Sequence, residues 1–158
     1  MPSREPTAIQ VRKAEQFRGH PLRADAVRLA CAVIEVAGLD PDGQGRAWGV
    51  TLCPDKNCVI RVNVGNQAIA DLRSDGRAYL MMILDGKKPR LPRTAEMFKG
   101  FEATPGSILV VVDVSDCDHV LATRECREAI QRHALASGYR DLPNSNWDNP
   151  LSSAVLEC

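Results

Sequence analysis

The sequence predicts a single α+β domain, in which a curled, mostly antiparallel sheet of five strands follows one helix and precedes others. Three observations predict it. Apolar residues recur at helical spacing from residue 22 onward. Four short strand-like runs then alternate with tight turns between residues 47 and 84, and a very apolar run is followed by a second helical repeat. Strands joined by such short turns pair antiparallel, because a parallel crossover needs a dozen or more residues.

Up to about Gly19, the spacing of Ile9, Val11, Ala14 and Phe17 permits a short helix without demanding one. From Leu22, the residues Ala26, Leu29, Ala30, Val33 and Ala37 mark one helical face, with Pro21 suited to the first position and Gly38 to the C-terminal cap. Leu39 to Gly45 is turn chemistry. Strands are expected at Ala47 to Leu52, Cys58 to Val64, Gln67 to Arg73 and Arg77 to Leu84. In the second, Cys58, Ile60, Val62 and Val64 face one way and Arg61 and Asn63 the other. Tyr79 to Leu84 is apolar on both faces, as in a central strand. Asp85 to Pro92 is a basic, proline-interrupted loop, and the stretch around Met97, Phe98 and Phe101 has no distinct period. Ser107 to Val114 is the most apolar strand. Thr123 can cap a helix running to about Ser137, with Cys126, Ala129, Ile130, His133 and Ala134 on its inner stripe. Asn149 and Pro150 open a last short helix whose abrupt stop at Cys158 predicts a domain excised from a longer protein.

Composition bounds the class. At 158 residues the chain fits one domain, and folding at that size buries roughly 70% of the surface the unfolded chain exposes. Hydrophobic residues at 44% and charged residues at 25% are far from the signature of disorder. No apolar run spans a bilayer and Met1 to Gln10 lacks a signal-peptide core, so the expected compartment is the cytoplasm, with no membrane partner. Six scattered cysteines do not form a disulfide framework, and a cytosolic chain keeps them reduced. A net charge of +0 gives the whole molecule no field that attracts nucleic acid, so any such binding rests on a local patch.

Motifs for catalysis are absent: there is no nucleophile elbow, phosphate-binding glycine loop or zinc-spaced histidine pair. Of His20, His119 and His133, the last sits on an inner helical stripe, where a core histidine is the ordinary reading. Cys53 and Cys58, with Cys117 and His119, offer four potential metal ligands, but their spacing is poor for a closed tetrahedral site, so no metal or cofactor is expected.

Binding chemistry is richer. Lys87, Lys88, Arg90 and Arg93 share one loop that Pro89 and Pro92 hold extended, as phosphate contact requires. Arg61 and Asn63 project from one strand face, and Arg46, Arg73 and Arg77 sit near strand ends; if those faces adjoin, a basic track forms. Trp147 stands in a polar loop between Asn146 and Asp148, offering a ring for stacking and groups to reach a base edge; its bland alternative is a cover over one end of the core. Trp48 begins a strand and is half core on the ordinary reading.

The segments Trp48-Gly-Val-Thr-Leu52, Ile60-Arg-Val-Asn-Val-Gly65 and Asn149-Pro-Leu-Ser-Ser-Ala-Val-Leu156 resemble the N-terminal recognition modules of modification-dependent (type IV) restriction endonucleases, which look like PUA, EVE and YTH domains. The resemblance implies a curled sheet with a base-sized pocket and a fused or associated nuclease domain beyond this chain. It implies that Trp48, Asn63 and the Trp147 loop lie near the pocket, with Tyr79 among the few rings able to contribute. The expected ligand is therefore modified double-stranded DNA, read by Trp48, Asn63, Tyr79, Asn146, Trp147 and Asp148 in a defence role without catalysis in this chain. Arg46, Arg61, Arg77, Lys87, Lys88, Arg90 and Arg93 are expected to hold phosphates. The alternative is a protein-interaction or small-ligand sensor domain.

Overall fold

The computed structural model describes residues 8–39, 48–52, 57–64, 67–86, 88–99 and 106–137. Two helices, α1 (Ala8–Arg18) and α2 (Arg23–Ala37), precede strands β1 (Trp48–Leu52), β2 (Cys58–Val64), β3 (Gln67–Arg73), β4 (Arg77–Ile83), β5 (Glu96–Lys99) and β6 (Ser107–Asp113); a 3-10 turn leads into α3 (Cys117–Ala122) and α4 (Arg124–Ala136). The strands form one antiparallel sheet in the order β1-β2-β3-β4-β6-β5, with β1 and β5 at its edges.

The α+β class and the meander agree with the sequence expectation, but the described residues form six strands, not five. The extra strand is β5, in the stretch without a distinct period: four residues with alternating exposure at a sheet edge carry too little apolar pattern to announce a strand. Its register against β6 supplies the order instead. α3 is likewise new, because Cys117, Val120 and Leu121 are its only buried residues. The last expected helix, at 149–158, lies outside the described residues.

α2 follows its sequence pattern. Ala26, Leu29, Ala30, Val33 and Ala37 are buried, and Gly38 ends the helix at φ 68°. The Gly38 amide donates to the Glu35 carbonyl at 3.1 Å and the Leu39 amide to Ile34 at 3.0 Å, a Schellman closure in which Leu39 and Ile34 both join the core. Pro21 falls in the turn before the helix. Thr123 is the N-cap residue of α4, yet its hydroxyl donates to the His119 carbonyl at 2.9 Å and makes no capping bond.

Both long helices lie on one side of the sheet. α2 and α4 pack with Val50, Leu52, Ile60, Val62, Val64, Ala70, Leu72, Ala78, Leu80, Met82, Ile108, Val110 and Val112 in one core. α4 is fixed by two side chains that reach backbone carbonyls elsewhere: Gln131 donates to Val36 at 2.9 Å and Arg132 to Ile83 at 2.8 Å. The opposite face carries a separate small cluster, Met81, Leu109 and Val111, with Tyr79 packed against it.

Two core groups depart from simple apolar packing. Cys31 is disulfide-bonded, which corrects the expectation that the cysteines are all reduced. His133, expected on the inner stripe, is wholly buried. The Ser137 hydroxyl lies 2.6 Å from the His133 carbonyl and 3.1 Å from Gln67 Oε1, both acceptors. The imidazole Nδ1, 3.2 Å away, therefore carries the ring proton and donates to Ser137 Oγ, leaving Nε2 a buried lone pair without a partner. Burial lowers the His133 pKa to about 4.

A sign follows for acid stability. The unfolded chain takes up the His133 proton near pH 6.5, before the folded chain does, so stability falls as pH drops from 6.5 toward 4 and the loss levels off below that window. The expected loss is about 3 kcal/mol. Chemical denaturation at several pH values checks it, and the variant His133→Leu should flatten the slope.

Candidate ligand-binding face

The sheet face away from the helices gathers the strand-borne polar residues. Register explains how: Thr51 lies opposite Arg61, Arg61 opposite Asp71, and Asp71 opposite Tyr79, so the four form one row across β1 to β4. Directly opposed side chains on one face are within contact range. Asp71 Oδ2 accepts from Arg61 Nε at 3.3 Å and Nη2 at 3.2 Å, and Arg73 Nη2 approaches the same oxygen at 3.4 Å. The Arg73 guanidinium lies over the Tyr79 ring, 4.7 Å from its centroid, within cation–π range.

The carboxylate is the centre of this row. The Asp71 side chain is 7% exposed, while those of Arg61 and Arg73 are 39% and 32% exposed. Burial raises the Asp71 pKa, and the two guanidinium charges and their hydrogen bonds pull it back without overcoming the loss of water. Its second oxygen, Oδ1, has no partner, and neither has the buried Nε of Arg73. The face therefore holds a charged array with one acceptor and one donor unused.

Asn63 occupies the same face, next to Arg61 along β2. Gly49 sits opposite it, and the Asn63 amide Nδ2 donates to Thr51 Oγ1 at 3.2 Å. Asn63 is 5% exposed. It is a strut between β1 and β2 where the sequence suggested a pocket wall.

Several expected site residues are accordingly relocated. Arg61 is paired with Asp71, so its charge is largely spent within the protein. The basic loop does not adjoin it: Leu84, Leu91 and Ala95 pack on the main core, Thr94 donates to Asp116 at 2.7 Å, and Lys88, Arg90 and Arg93 project as exposed groups from that helix-side crossing. Of the expected basic track, Arg61, Arg73 and Arg77 share the polar face, and the loop carrying Lys88, Arg90 and Arg93 is anchored on the helix-side core. Arg77 is exposed and lies opposite Asp113. Tyr79 does stand on the polar face. Arg46, Lys87, Asn146, Trp147 and Asp148 lie outside the described residues, as does the side chain of Trp48.

The residue that sequence reasoning missed is Asp71. Its signal was present: an acid inside the apolar run Ala68-Ile69-Ala70-Asp71-Leu72 needs a cation from a neighbouring strand, and Arg61 supplies one. Two of the described thiols are poor nucleophiles. Cys117 is buried and its pKa is pushed up to about 12 by burial and then by Asp118, and that of Cys126 rises to about 11 by burial and then by Glu125. No three His, Cys, Asp or Glu side chains converge as metal ligands among the described residues; Cys53 lies outside them. No helix among them is long and apolar enough to cross a membrane. No protein-family model, no curated protein and no solved structure matches this chain.

Two outcomes test this description. Asp71→Ala leaves two cations uncompensated and should cost on the order of 2 kcal/mol in chemical denaturation, below the cost of breaking a fully buried pair because the arginine heads are partly solvated. Arg61→Ala leaves Arg73 to balance the acid and should cost less. Separately, alkylation of Cys117 and Cys126 by iodoacetamide at pH 8 should run about a hundredfold slower in the folded chain than in denaturant. A fast-reacting Cys117 would instead make it a candidate nucleophile.

Proposed function

We propose that this chain is a recognition domain for double-stranded DNA carrying a modified base, and that an extruded base is received on the sheet face away from the helices. The Arg73–Tyr79 stack beside the buried Asp71 carboxylate is the observation that carries this reading. An extruded base needs a flat surface and polar groups to meet its edge, and this row supplies both. The α+β class and antiparallel meander are of the kind the resemblance implies, and we read the fold as a PUA- or EVE-like sheet with a sixth strand added at its edge. The role that follows is targeting of a separate nuclease domain to foreign DNA, with no catalysis in this chain.

In this reading the charges near the base are the outer parts of Arg61 and Arg73 and the exposed Arg77. Lys88, Arg90 and Arg93 belong to the opposite layer and serve as solvated surface. Extrusion costs a few kcal/mol, which stacking at about 1–3 kcal/mol and edge hydrogen bonds offset.

A second reading, a small-ligand sensor, is favoured by the net charge of +0 and by the partial neutralisation of Arg61 and Arg73, which share the one Asp71 carboxylate. Salt separates the two, because phosphate contacts release counterions and weaken steeply as salt rises. Binding should be measured from 50 to 200 mM salt with matched duplexes that are plain, methylated on cytosine or adenine, hydroxymethylated, and phosphorothioate-substituted. The expected result is a salt-sensitive preference for one modified duplex, lost in Tyr79→Ala and retained when Lys88, Arg90 and Arg93 are together changed to alanine. No affinity for any duplex at low salt would sink the DNA reading. Loss of binding in the triple variant would move the contact to the helix side.

A further inference from the structure

Resting on the DNA reading, we infer that the base received on this face is an amino-bearing one, cytosine or adenine, and that Asp71 Oδ1 and the Arg73 Nε–H are the pair that meets its edge. Both atoms are buried without a partner, whereas almost all buried polar atoms in folded proteins have one. They belong to neighbouring residues of one strand face, already linked through Arg73 Nη2 and Asp71 Oδ2. An unused acceptor beside an unused donor fits a planar group that presents one N–H next to one lone pair.

The occupancy of the carboxylate narrows the choice. Oδ2 is taken by Arg61 and Arg73, so a single oxygen remains. The amine of cytosine or adenine gives one hydrogen to Oδ1 while the neighbouring ring nitrogen accepts from Arg73 Nε; a carboxylate accepting from the cytosine amine is a known pairing in base readout. Guanine presents two adjacent donors, one of which would find no oxygen. Thymine places its one donor between two carbonyls, and the second would be pressed against Oδ2, oxygen against oxygen. Met81, Leu109 and Val111, packed with Tyr79 on the same face, are themselves buried. The heads of Arg61 and Arg73 are about one third exposed, so the row meets solvent through them.

The test titrates the 158-residue chain with deoxycytidine, deoxyadenosine, deoxyguanosine, thymidine and acetamide, read by NMR shifts of the Tyr79 ring and the Arg73 side chain. The same preparations of the wild type, Arg73→Lys and Asp71→Asn are then assayed on the modified duplexes. The expected result is that deoxycytidine or deoxyadenosine shifts both resonances and deoxyguanosine does not. Arg73→Lys, which keeps the charge and removes Nε–H, should weaken duplex affinity at least tenfold with an unchanged melting temperature. Equal response to deoxyguanosine or thymidine, or to acetamide, overturns the assignment of the edge. Duplex affinity unaltered in both variants overturns it as well, while leaving the DNA reading standing. Nucleoside binding with no duplex binding has the reverse meaning, since the site survives and the DNA reading fails.

Discussion

Among the described residues, the structure depends on the helix cover falling on one side of the sheet. α2 and α4 meet the alternate residues of β1 to β4 and β6 that point toward them, and every such position in the core is apolar. Period-two alternation then sends Thr51, Arg61, Asn63, Asp71 and Tyr79 to the other face, where they must satisfy one another. A one-residue slip in β2 or β3 would drive Arg61 or Asp71 into the helix layer, so the charged row and the apolar core enforce the same register. The two irregularities in the β2–β3 pairing, between Cys58 and Ile60 and between Val62 and Asn63, flank Arg61 and leave its pairing with Asp71 intact.

That row makes an unequal use of charge. One buried acid faces two arginines whose outer parts remain wet, and the acid's second oxygen and one guanidinium nitrogen are left over. A structural ion pair built only for stability would place both carboxylate oxygens in hydrogen bonds, because a buried orphan costs more than the pair gains. His133 is the matching case on the helix side, with one ring nitrogen bonded to Ser137 and the other bare. The difference is neighbourhood. Nε2 of a wholly buried histidine under α4 tunes acid stability, whereas the Asp71 row borders solvent through its arginine heads.

The split between the two faces also reshapes the electrostatic picture. Cationic side chains close in sequence, such as Lys88, Arg90 and Arg93, stay together on the crossing from β4 to β5. Those distant in sequence, Arg61 and Arg73, are joined by strand pairing and share one acid. A neutral chain can hold a binding surface only if such charges are sorted by face, and here the sorting follows from strand alternation.

The sequence by itself determined most of the elements. The α2 repeat with Gly38, the runs of β2, β3 and β6, and the inner stripe of α4 are local patterns, set by spacing and turn chemistry within a few residues. It also determined that Arg61 and Asn63 share a face. Tertiary structure alone decided what that face does: Asn63 became a strut because β1 brings Thr51 within its reach, and Arg61 pairs with a buried acid because β3 brings Asp71 alongside. It decided too that β5 exists and that the lysine and arginine loop runs on the other side. These are contacts between residues ten or more positions apart, fixed by strand order and register, which no local periodicity encodes.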